Sequence, residues 1–227
     1  MVQLAAADVL LVTGGTGLVG SHVASQAVQR GLRVRCLVRR AAAAGFLKSL
    51  GCELVEGDLD QPESLQRAAA GATVVVHCAA KVGDWGPTED YRRVNVEGTR
   101  ALLDATLAAG SLRRWVQISS LGVYEGRDHF GTDEATPPST VGIDGYTLTK
   151  VESELLVMRY VRERALPAVV LRPGFIYGVR DRTVLPRLLE RLRSGKFAYL
   201  GDPGKLMNNT WVENLCRAVW LAIDRDH

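Results

Sequence analysis

A chain of 227 residues is long enough for one large domain or two small lobes, and its composition of 47% hydrophobic and 23% charged residues is that of a globular protein with a sizeable core. Disordered, collagen-like and disulfide-stapled proteins are therefore excluded. The net charge of +3 is too small to indicate nucleic acid as a partner, although its sign is compatible with binding of a small anion.

Cysteine, histidine and hydropathy patterns indicate the cellular context. The cysteines, Cys36, Cys52, Cys78 and Cys216, form no CxxC pair. We predict reduced thiols in the core of a cytoplasmic protein, without structural zinc. The histidines, His22, His77, His129 and His227, have no metal-binding spacing, so no metal site is expected. No apolar run is long enough to span a membrane, and the N terminus lacks the early positive charge of a signal peptide.

Strand-like and helical patterns alternate along most of the chain. Strands are predicted at residues 9–12, 33–38, 53–56, 73–78, 114–119 and 168–171. Helices are predicted at residues 19–28, 62–70, 88–109, 146–164, 183–194 and 211–224. Because strand and helix alternate up to residue 171, we predict parallel strands joined by right-handed crossovers, which is a doubly wound α/β sheet, the Rossmann fold.

A glycine-rich loop lies between the first strand and the first helix, with Gly14, Gly17 and Gly20 spaced as GxxGxxG. Glycine permits a tight turn, close approach of the backbone to a pyrophosphate and close packing of helix on strand. Free N–H groups and the positive end of the helix dipole then attract phosphates. We expect a dinucleotide here, held by Gly14, Thr16, Gly17, Leu18 and Val19. The alternative is a glycine-rich turn without a ligand.

The second and third strands end in residues that bear on the adenosine half of such a cofactor. NAD-binding folds place an acidic residue after the second strand, whereas this chain has Arg39 and Arg40 there. Because a guanidinium can bind a 2′-phosphate with paired hydrogen bonds, these arginines favour NADP over NAD. NAD stays open as the cofactor, and the alternative for the two arginines is that they are solvated at the strand end. Asp58, followed by Leu59, is a candidate for the adenine amino group, or else a helix N-cap or turn residue.

Tyr146 and Lys150 lie four residues apart at the start of a predicted helix, so both project from one face. A lysine cation nearby favours the phenolate and lowers the pKa of the tyrosine. Such a tyrosine can exchange a proton with an alcohol or carbonyl while a nicotinamide exchanges hydride. Ser119 and Ser120 end the preceding strand, at the sheet edge where ligands bind, and a serine hydroxyl there can stabilise a developing alkoxide.

Seven motifs in a fixed order carry a resemblance to a known family. They are TGGTGLVG at 13–20, GDL at 57–59, HCAA at 77–80, NVEGT at 95–99, SSLGVY at 119–124, YTLTK at 146–150 and LRPGFIYG at 171–178. In this order the chain resembles the extended short-chain dehydrogenase/reductases, the NAD-dependent epimerase/dehydratase superfamily. The stretches at 79–86, 90–99 and 174–186 look most like the 3β-hydroxysteroid dehydrogenase branch, which includes sterol-carboxylate dehydrogenases and reductases of long-chain 3-oxo acids.

The resemblance implies roles for individual residues. Tyr146 is the general acid/base, Lys150 lowers its pKa and holds the nicotinamide ribose, and Ser120, rather than Ser119, is the catalytic serine. Further cofactor contacts are implied at Ala79, Ala80, Lys81, Asn95 and Pro173, with a structural or water-holding role as the alternative for Asn95. Substrate contacts are expected at Val82, Trp85, Ser120, Leu121 and Phe175, within or near the loops 82–85 and 121–144, although Trp85 could equally be a packing residue.

These features predict an NAD(P)-dependent oxidoreductase that acts on a secondary alcohol or ketone of an apolar small molecule, a sterol-like compound or a long-chain 3-oxo acid. The alternatives are a nucleotide-sugar epimerase or dehydratase with retained NAD, and a non-catalytic dinucleotide sensor. The basic run from Arg180 to Lys196 would suit a diphosphate, or else face solvent.

The family resemblance also bears on domain organisation. Residues 1–171 are expected to form the dinucleotide-binding lobe, and residues 172–227 the start of a substrate lobe. Relatives continue well beyond the equivalent of Asp224, so we expect this substrate lobe to be incomplete. The resemblance implies a homodimer through the helices at 88–109 and 146–164.

Overall fold

A six-stranded parallel sheet forms the centre of the computed structural model, which describes residues 4–83, 85–141, 144–198, 202, 204 and 206–225. The strands of the sheet are β1 Val9–Thr13, β2 Arg33–Val38, β3 Glu53–Glu56, β4 Val74–His77, β5 Arg114–Ile118 and β6 Ala168–Leu171. Their order is β3-β2-β1-β4-β5-β6, and all neighbours are parallel. The predicted doubly wound α/β fold is confirmed. The strand order reverses between β1 and β4, which is where such sheets bind nucleotides.

Helices cover both faces of this sheet. They are α1 Leu18–Gln29, α2 Gly45–Ser49, α3 Pro62–Ala69, α4 Thr88–Arg92, α5 Gly98–Ala108, α6 Gly145–Arg164, α7 Val184–Arg193 and α8 Val212–Asp224. A π turn at Arg93–Glu97 joins α4 to α5, so the single helix predicted at 88–109 contains an irregular turn. In the part of the chain that the structure describes, no helix is both long and apolar enough to cross a membrane.

Two hydrophobic cores lie on opposite faces of the sheet. Leu10 and Val12 of β1 point to the core shared with α1, α2 and α8, whereas Leu11 points to the core shared with α3, α5 and α6. This alternation follows from the two-residue period of a strand. All four cysteines are free thiols, and Cys78 is half-buried while the other three are buried.

The chain after β6 differs from the sequence prediction. A second, two-stranded parallel sheet is formed by β7 Phe175–Tyr177 and β8 Asn209–Trp211, neither of which was predicted. The following helix, α8, packs on α1, and its residues Val212, Cys216 and Val219 belong to the same core as β1. Residue 171 is therefore not a boundary between two hydrophobic cores, because α8 covers the dinucleotide-binding sheet. That the segment between β6 and α8 contributes to substrate binding stays a prediction.

Candidate active site

The glycine loop leaves no room for a side chain at Gly14, which packs on the segment after β4, or at Gly20, which packs on Gly14. Gly14 has a φ of +68°, and a Cβ added there would lie 2.8 Å from the Ala79 nitrogen. A Cβ at Gly20 would overlap the Gly14 carbonyl oxygen. No side chain caps the start of α1, whose N-cap is Gly17, so its first amides have no side-chain acceptor. This uncapped, glycine-lined turn fits the pyrophosphate of a dinucleotide.

The candidate residues for the adenosine half lie at the ends of β2 and β3. Arg39 and Arg40 are exposed, and the Ala41 amide that follows them donates to Glu56 Oε2 at 3.0 Å. Asp58 Oδ1 accepts a hydrogen bond from the Leu59 amide at 2.7 Å. The N-cap of α3 is Gln61, so Asp58 acts as a turn residue in this structure and not as the helix cap. Its contact with adenine stays a prediction.

A buried polar chain connects the end of β1 to α5. Thr13 Oγ1 lies 2.6 Å from His77 Nδ1 and accepts a hydrogen bond from the Ala79 amide at 3.2 Å. His77 Nε2 lies 3.0 Å from Thr99 Oγ1. Burial, assisted by the charge of Lys150, lowers the pKa of His77 to about 3. This imidazole is therefore neutral at physiological pH and connects strand to helix through one ring N–H and one acceptor nitrogen.

Asn95, in the π turn, connects the loop after β4 to α6. Its Oδ1 accepts a hydrogen bond from the Lys81 amide at 2.7 Å, and its Nδ2 donates to the Lys81 carbonyl at 3.1 Å and to Thr149 Oγ1 at 3.0 Å. These bonds satisfy the side chain, which is buried, and agree with the structural alternative for Asn95. The Lys81 ammonium lies 3.2 Å from Asp90. Cofactor contacts of Ala80, Lys81 and Asn95 stay predictions.

The start of α6 places the two residues of the YxxxK motif. The helix begins with a capping box in which Asp144 Oδ1 accepts the Thr147 amide at 2.7 Å and Thr147 Oγ1 accepts the Asp144 amide at 3.1 Å. Tyr146 therefore lies in the first turn and Lys150 one turn later. The buried Lys150 Nζ donates to the carbonyl of Ile118, the last residue of β5, at 2.6 Å. Burial lowers the pKa of Lys150 to about 8, so it is a cation at neutral pH.

The electrostatics of Tyr146 differ from the sequence prediction. Burial, and after it the negative charge of Asp144, raise the pKa of Tyr146, while interaction with the Ser120 side chain opposes that rise. The expected lowering by Lys150 is therefore not seen in this structure, where the ammonium is bonded to a backbone carbonyl. Ser120 Oγ accepts the Gly122 amide at 3.0 Å, which orients the side chain beside Tyr146.

The residues expected to contact substrate are spread around this site. Val82 and Trp85 are 66% and 93% exposed, so Trp85 does not pack against the described part of the chain. The Leu121 amide donates to the Pro173 carbonyl at 2.9 Å, and Phe175, which begins β7, is exposed. Asp84, Gly142 and Ile143 of the two expected substrate loops lie outside the described residues.

A buried ion pair that was not predicted from the sequence lies behind the site. Glu154, one turn after Lys150, is 2% exposed and accepts hydrogen bonds from Ser119 Oγ at 2.6 Å and Arg172 Nε at 2.9 Å. Arg172 Nη1 donates to the Tyr124 hydroxyl at 2.6 Å. Ser119 is therefore turned toward Glu154, which agrees with the choice of Ser120. The available signal was the i, i+4, i+8 series that puts Glu154 on the same helix face as the YxxxK pair.

The remaining described histidines take part in hydrogen bonds away from this site. His22 Nε2 lies 2.8 Å from the Val179 carbonyl and Nδ1 lies 2.6 Å from Glu213 Oε1. His129 contacts Thr132 Oγ1 at 2.9 Å. Within the described ranges, no group of three His, Cys, Asp or Glu side chains is placed to hold a metal ion, and His227 lies outside them.

Comparison with known proteins decides the family. Residues 10–227 match the family described as "NAD dependent epimerase/dehydratase family". The chain belongs to this family. The resemblance to extended short-chain dehydrogenase/reductases is thereby confirmed, and its 3β-hydroxysteroid dehydrogenase-like branch is represented among the relatives.

Three similar proteins illustrate the relationship. A "4-hydroxy-2-methyl-3-oxo-4-farnesyl-3,4-dihydroquinoline-1-oxide ketoreductase" of Stigmatella aurantiaca is 35% identical over 94% of this chain and 64% of its own length. A "3-beta-hydroxysteroid dehydrogenase" of Mycolicibacterium neoaurum is 33% identical over 95% of this chain and 60% of its own length. The UDP-glucose 4-epimerase of Thermus thermophilus, solved with NAD, has a TM-score of 0.83 at 27% identity and covers 96% of this chain and 75% of its own. The chain thus spans less than two thirds of the length of the two curated relatives.

Proposed function

We propose that this chain carries the dinucleotide-binding and catalytic part of an NADP-dependent oxidoreductase that interconverts a secondary alcohol and a ketone on an apolar substrate, such as a 3β-hydroxysteroid or a long-chain 3-oxo acid. The observation that carries the proposal is that Ser120, Tyr146 and Lys150 meet at the carboxyl edge of β5, beside the reversal of strand order. The names of the ketoreductase and dehydrogenase relatives support it.

The bound nicotinamide supplies or accepts the hydride. The residues that would hold the pyrophosphate are Gly14, Thr16, Gly17, Leu18 and Val19. Ala79, Ala80 and Pro173 would line the nicotinamide half, where the Thr13 hydroxyl already fixes the Ala79 amide at 3.2 Å. Arg39 and Arg40 would meet the 2′-phosphate, and Asp58 the adenine.

Proton transfer is the part of the reaction that this chain performs with its own side chains. Because burial and Asp144 raise the pKa of Tyr146, its phenol is protonated at neutral pH and can donate to the substrate oxygen during reduction. The Ser120 hydroxyl, which interacts with Tyr146 in this structure, can donate to the same oxygen once a substrate is bound. Lys150, a cation with a pKa of about 8 that is bonded to the Ile118 carbonyl, would hold the nicotinamide ribose one helical turn from Tyr146. The resting protonation state is therefore suited to ketone reduction.

Cofactor preference gives a first test. NADPH is expected to raise the unfolding temperature more than NADH at equal concentration, because Arg39 and Arg40 offer exposed guanidinium groups to a 2′-phosphate. Arg39→Gln should reduce this difference, and Arg33→Gln, which removes the same charge from the exposed start of β2, should not. A larger shift with NADH in the parent protein would contradict the preference for NADP.

Substrate class gives a second test. With cofactor bound, a long-chain 3-oxo compound or a sterol is expected to stabilise the protein more than UDP-glucose, because Val82, Trp85 and Phe175 present exposed apolar side chains beside the site. The second candidate function is a nucleotide-sugar epimerase or dehydratase with retained NAD, which the likeness to the NAD-bound epimerase favours. Tighter binding of UDP-glucose, together with NAD that survives purification, would support that candidate instead.

The proposal includes a cytoplasmic location and a homodimer formed through α4, α5 and α6. Leu155 and Met158 of α6 are 41% and 37% exposed, which supplies part of an apolar contact surface. Dimer mass in solution, measured by light scattering, would test it.

A further inference from the structure

The loop after β7, residues 178–183, reaches the glycine loop from the side of α1 and α2 and contains a strained arginine. Arg180 has a φ of +70°, a backbone conformation that side-chain-bearing residues rarely adopt. Strain of this kind persists only where the surroundings hold it, and it concentrates at ligand sites. The positive φ therefore marks Arg180 as the candidate ligand contact of this loop.

Contacts on both sides fix the loop. The imidazole of His22 lies 2.8 Å from the Val179 carbonyl, and the Asp181 amide donates to the Gly178 carbonyl at 3.1 Å. Arg180 Nε donates to Ser21 Oγ at 3.0 Å, and its guanidinium carbon lies 4.7 Å from the centre of the Phe46 ring. The guanidinium is thus held between α1 and α2 with its position set in advance, and its terminal nitrogens have no bonded partner among the described residues.

A groove opens at this point beside the glycine loop. It is lined by Gly15 and Thr16 of the glycine loop, by Ala43 and Ala44 ahead of α2, and by Arg180 and Arg182. The alanines belong to the turn that follows the end of β2. That end of β2 is where a doubly wound fold places the ribose of the adenosine half, whereas the pyrophosphate belongs to the amides at the start of α1.

The positive charge of this groove is not neutralised from within the described residues. Asp181, which lies between the two arginines in sequence, is turned toward α7 and accepts the amides of Val184 and Leu185, both at 3.0 Å. Glu213 is bonded to His22 and to Gln26. Across the described ranges, no carboxylate lies within ion-pair distance of Arg180 or Arg182. Two guanidinium groups without acidic partners, one of them held rigidly, form a site for a phosphate dianion.

We propose that Arg180 and Arg182 bind the ribose 2′-phosphate of NADP(H) from the side opposite Arg39 and Arg40, so that the loop after β7 determines cofactor choice together with the end of β2. The inference rests on the proposed NADP preference and adds to it a determinant far away in sequence. Part of the basic run from Arg180 to Lys196 then has a role other than facing solvent.

The test compares cofactors that differ by this single phosphate. Dissociation constants for NADPH, NADH, 2′,5′-ADP and ADP are measured by calorimetry on the parent protein and on Arg180→Gly, a change that suits the positive φ. We expect NADPH and 2′,5′-ADP to bind about tenfold more weakly to the variant, while NADH and ADP change by less than about twofold. Arg182→Gln should act in the same direction and serves if Arg180→Gly does not fold. Arg187→Gln removes the same charge from the exposed side of α7 and should have no effect.

Each other outcome overturns the inference and identifies what failed. An equal loss for NADPH and NADH would mean that Arg180 contacts the pyrophosphate. No loss in either variant would mean that both arginines only face solvent. A parent protein that binds NADH as tightly as NADPH would remove the proposed NADP preference itself, while the proton-transfer roles of Ser120, Tyr146 and Lys150 would be untouched.

Discussion

Replacement of Tyr146 by phenylalanine is expected to lower the rate of ketone reduction by about 10²–10⁴-fold and to leave NADPH binding close to that of the parent protein. In the proposed reaction the phenol gives a proton to the substrate oxygen, and phenylalanine keeps the ring that fills this half-buried position. Turnover is followed by the absorbance of NADPH with a 3-oxo substrate, and binding by calorimetry.

A matched control lies on the same helix. Tyr160 donates its hydroxyl to Asp104 Oδ1 at 2.8 Å, on the side of α6 that packs with α5, so Tyr160→Phe removes a phenol of the same kind away from the site. This variant should keep the parent rate. If Tyr146→Phe retained turnover, the proton would have to come from another group, and a loss of NADPH binding in that variant would indicate a cofactor-holding role instead.

The central sheet could be predicted because its signal is local. Strands covered on both faces read as short apolar runs, and β2, β3 and β6 begin and end at the predicted residues. β7 and β8 could not be found in this way, because each has three residues and they pair across more than thirty intervening positions. The amphipathic pattern of α8 predicts one buried face, but it does not tell that this face covers β1 rather than a second lobe.

Local patterns likewise predict some features of the candidate site and not others. Helical spacing predicts that Tyr146 and Lys150 share a face, and the strand end predicts a serine beside them. The direction of the Tyr146 pKa shift could not be predicted, because it depends on burial and on Asp144, whose position follows from the capping box. The π turn around Asn95 could not be predicted either, because the Asn95 side chain bonds to Lys81 and Thr149, which lie in two different segments.

The buried pair of Glu154 and Arg172 yields the largest expected effect on stability. Arg172→Met is expected to lower the free energy of unfolding by about 3–5 kcal/mol, because the Glu154 carboxylate, 2% exposed, would keep only the Ser119 hydroxyl as a donor among its present side-chain partners. The change would also release the Tyr124 hydroxyl, which Arg172 holds at 2.6 Å. Denaturant unfolding of the parent and the variant measures the difference.

Two further variants separate the cost of an unpaired buried carboxylate from the loss of the other contacts of Arg172. Adding Glu154→Leu to Arg172→Met should restore part of the lost stability, because it removes the carboxylate that has lost its guanidinium partner and leaves the buried Lys150 cation bonded to the Ile118 carbonyl. Arg100→Met breaks an exposed pair with Glu97 in which the Arg100 side chain is 40% exposed, and it should cost at most about 1 kcal/mol. A double variant as unstable as Arg172→Met alone would mean that the loss does not come from the unpaired Glu154 carboxylate, and that the hydrogen bond from Arg172 to the Tyr124 hydroxyl supports the fold. The segments that follow β5 and β6, which contain Ser120 and Pro173, would then be held together by the Arg172–Tyr124 bond rather than by the ion pair.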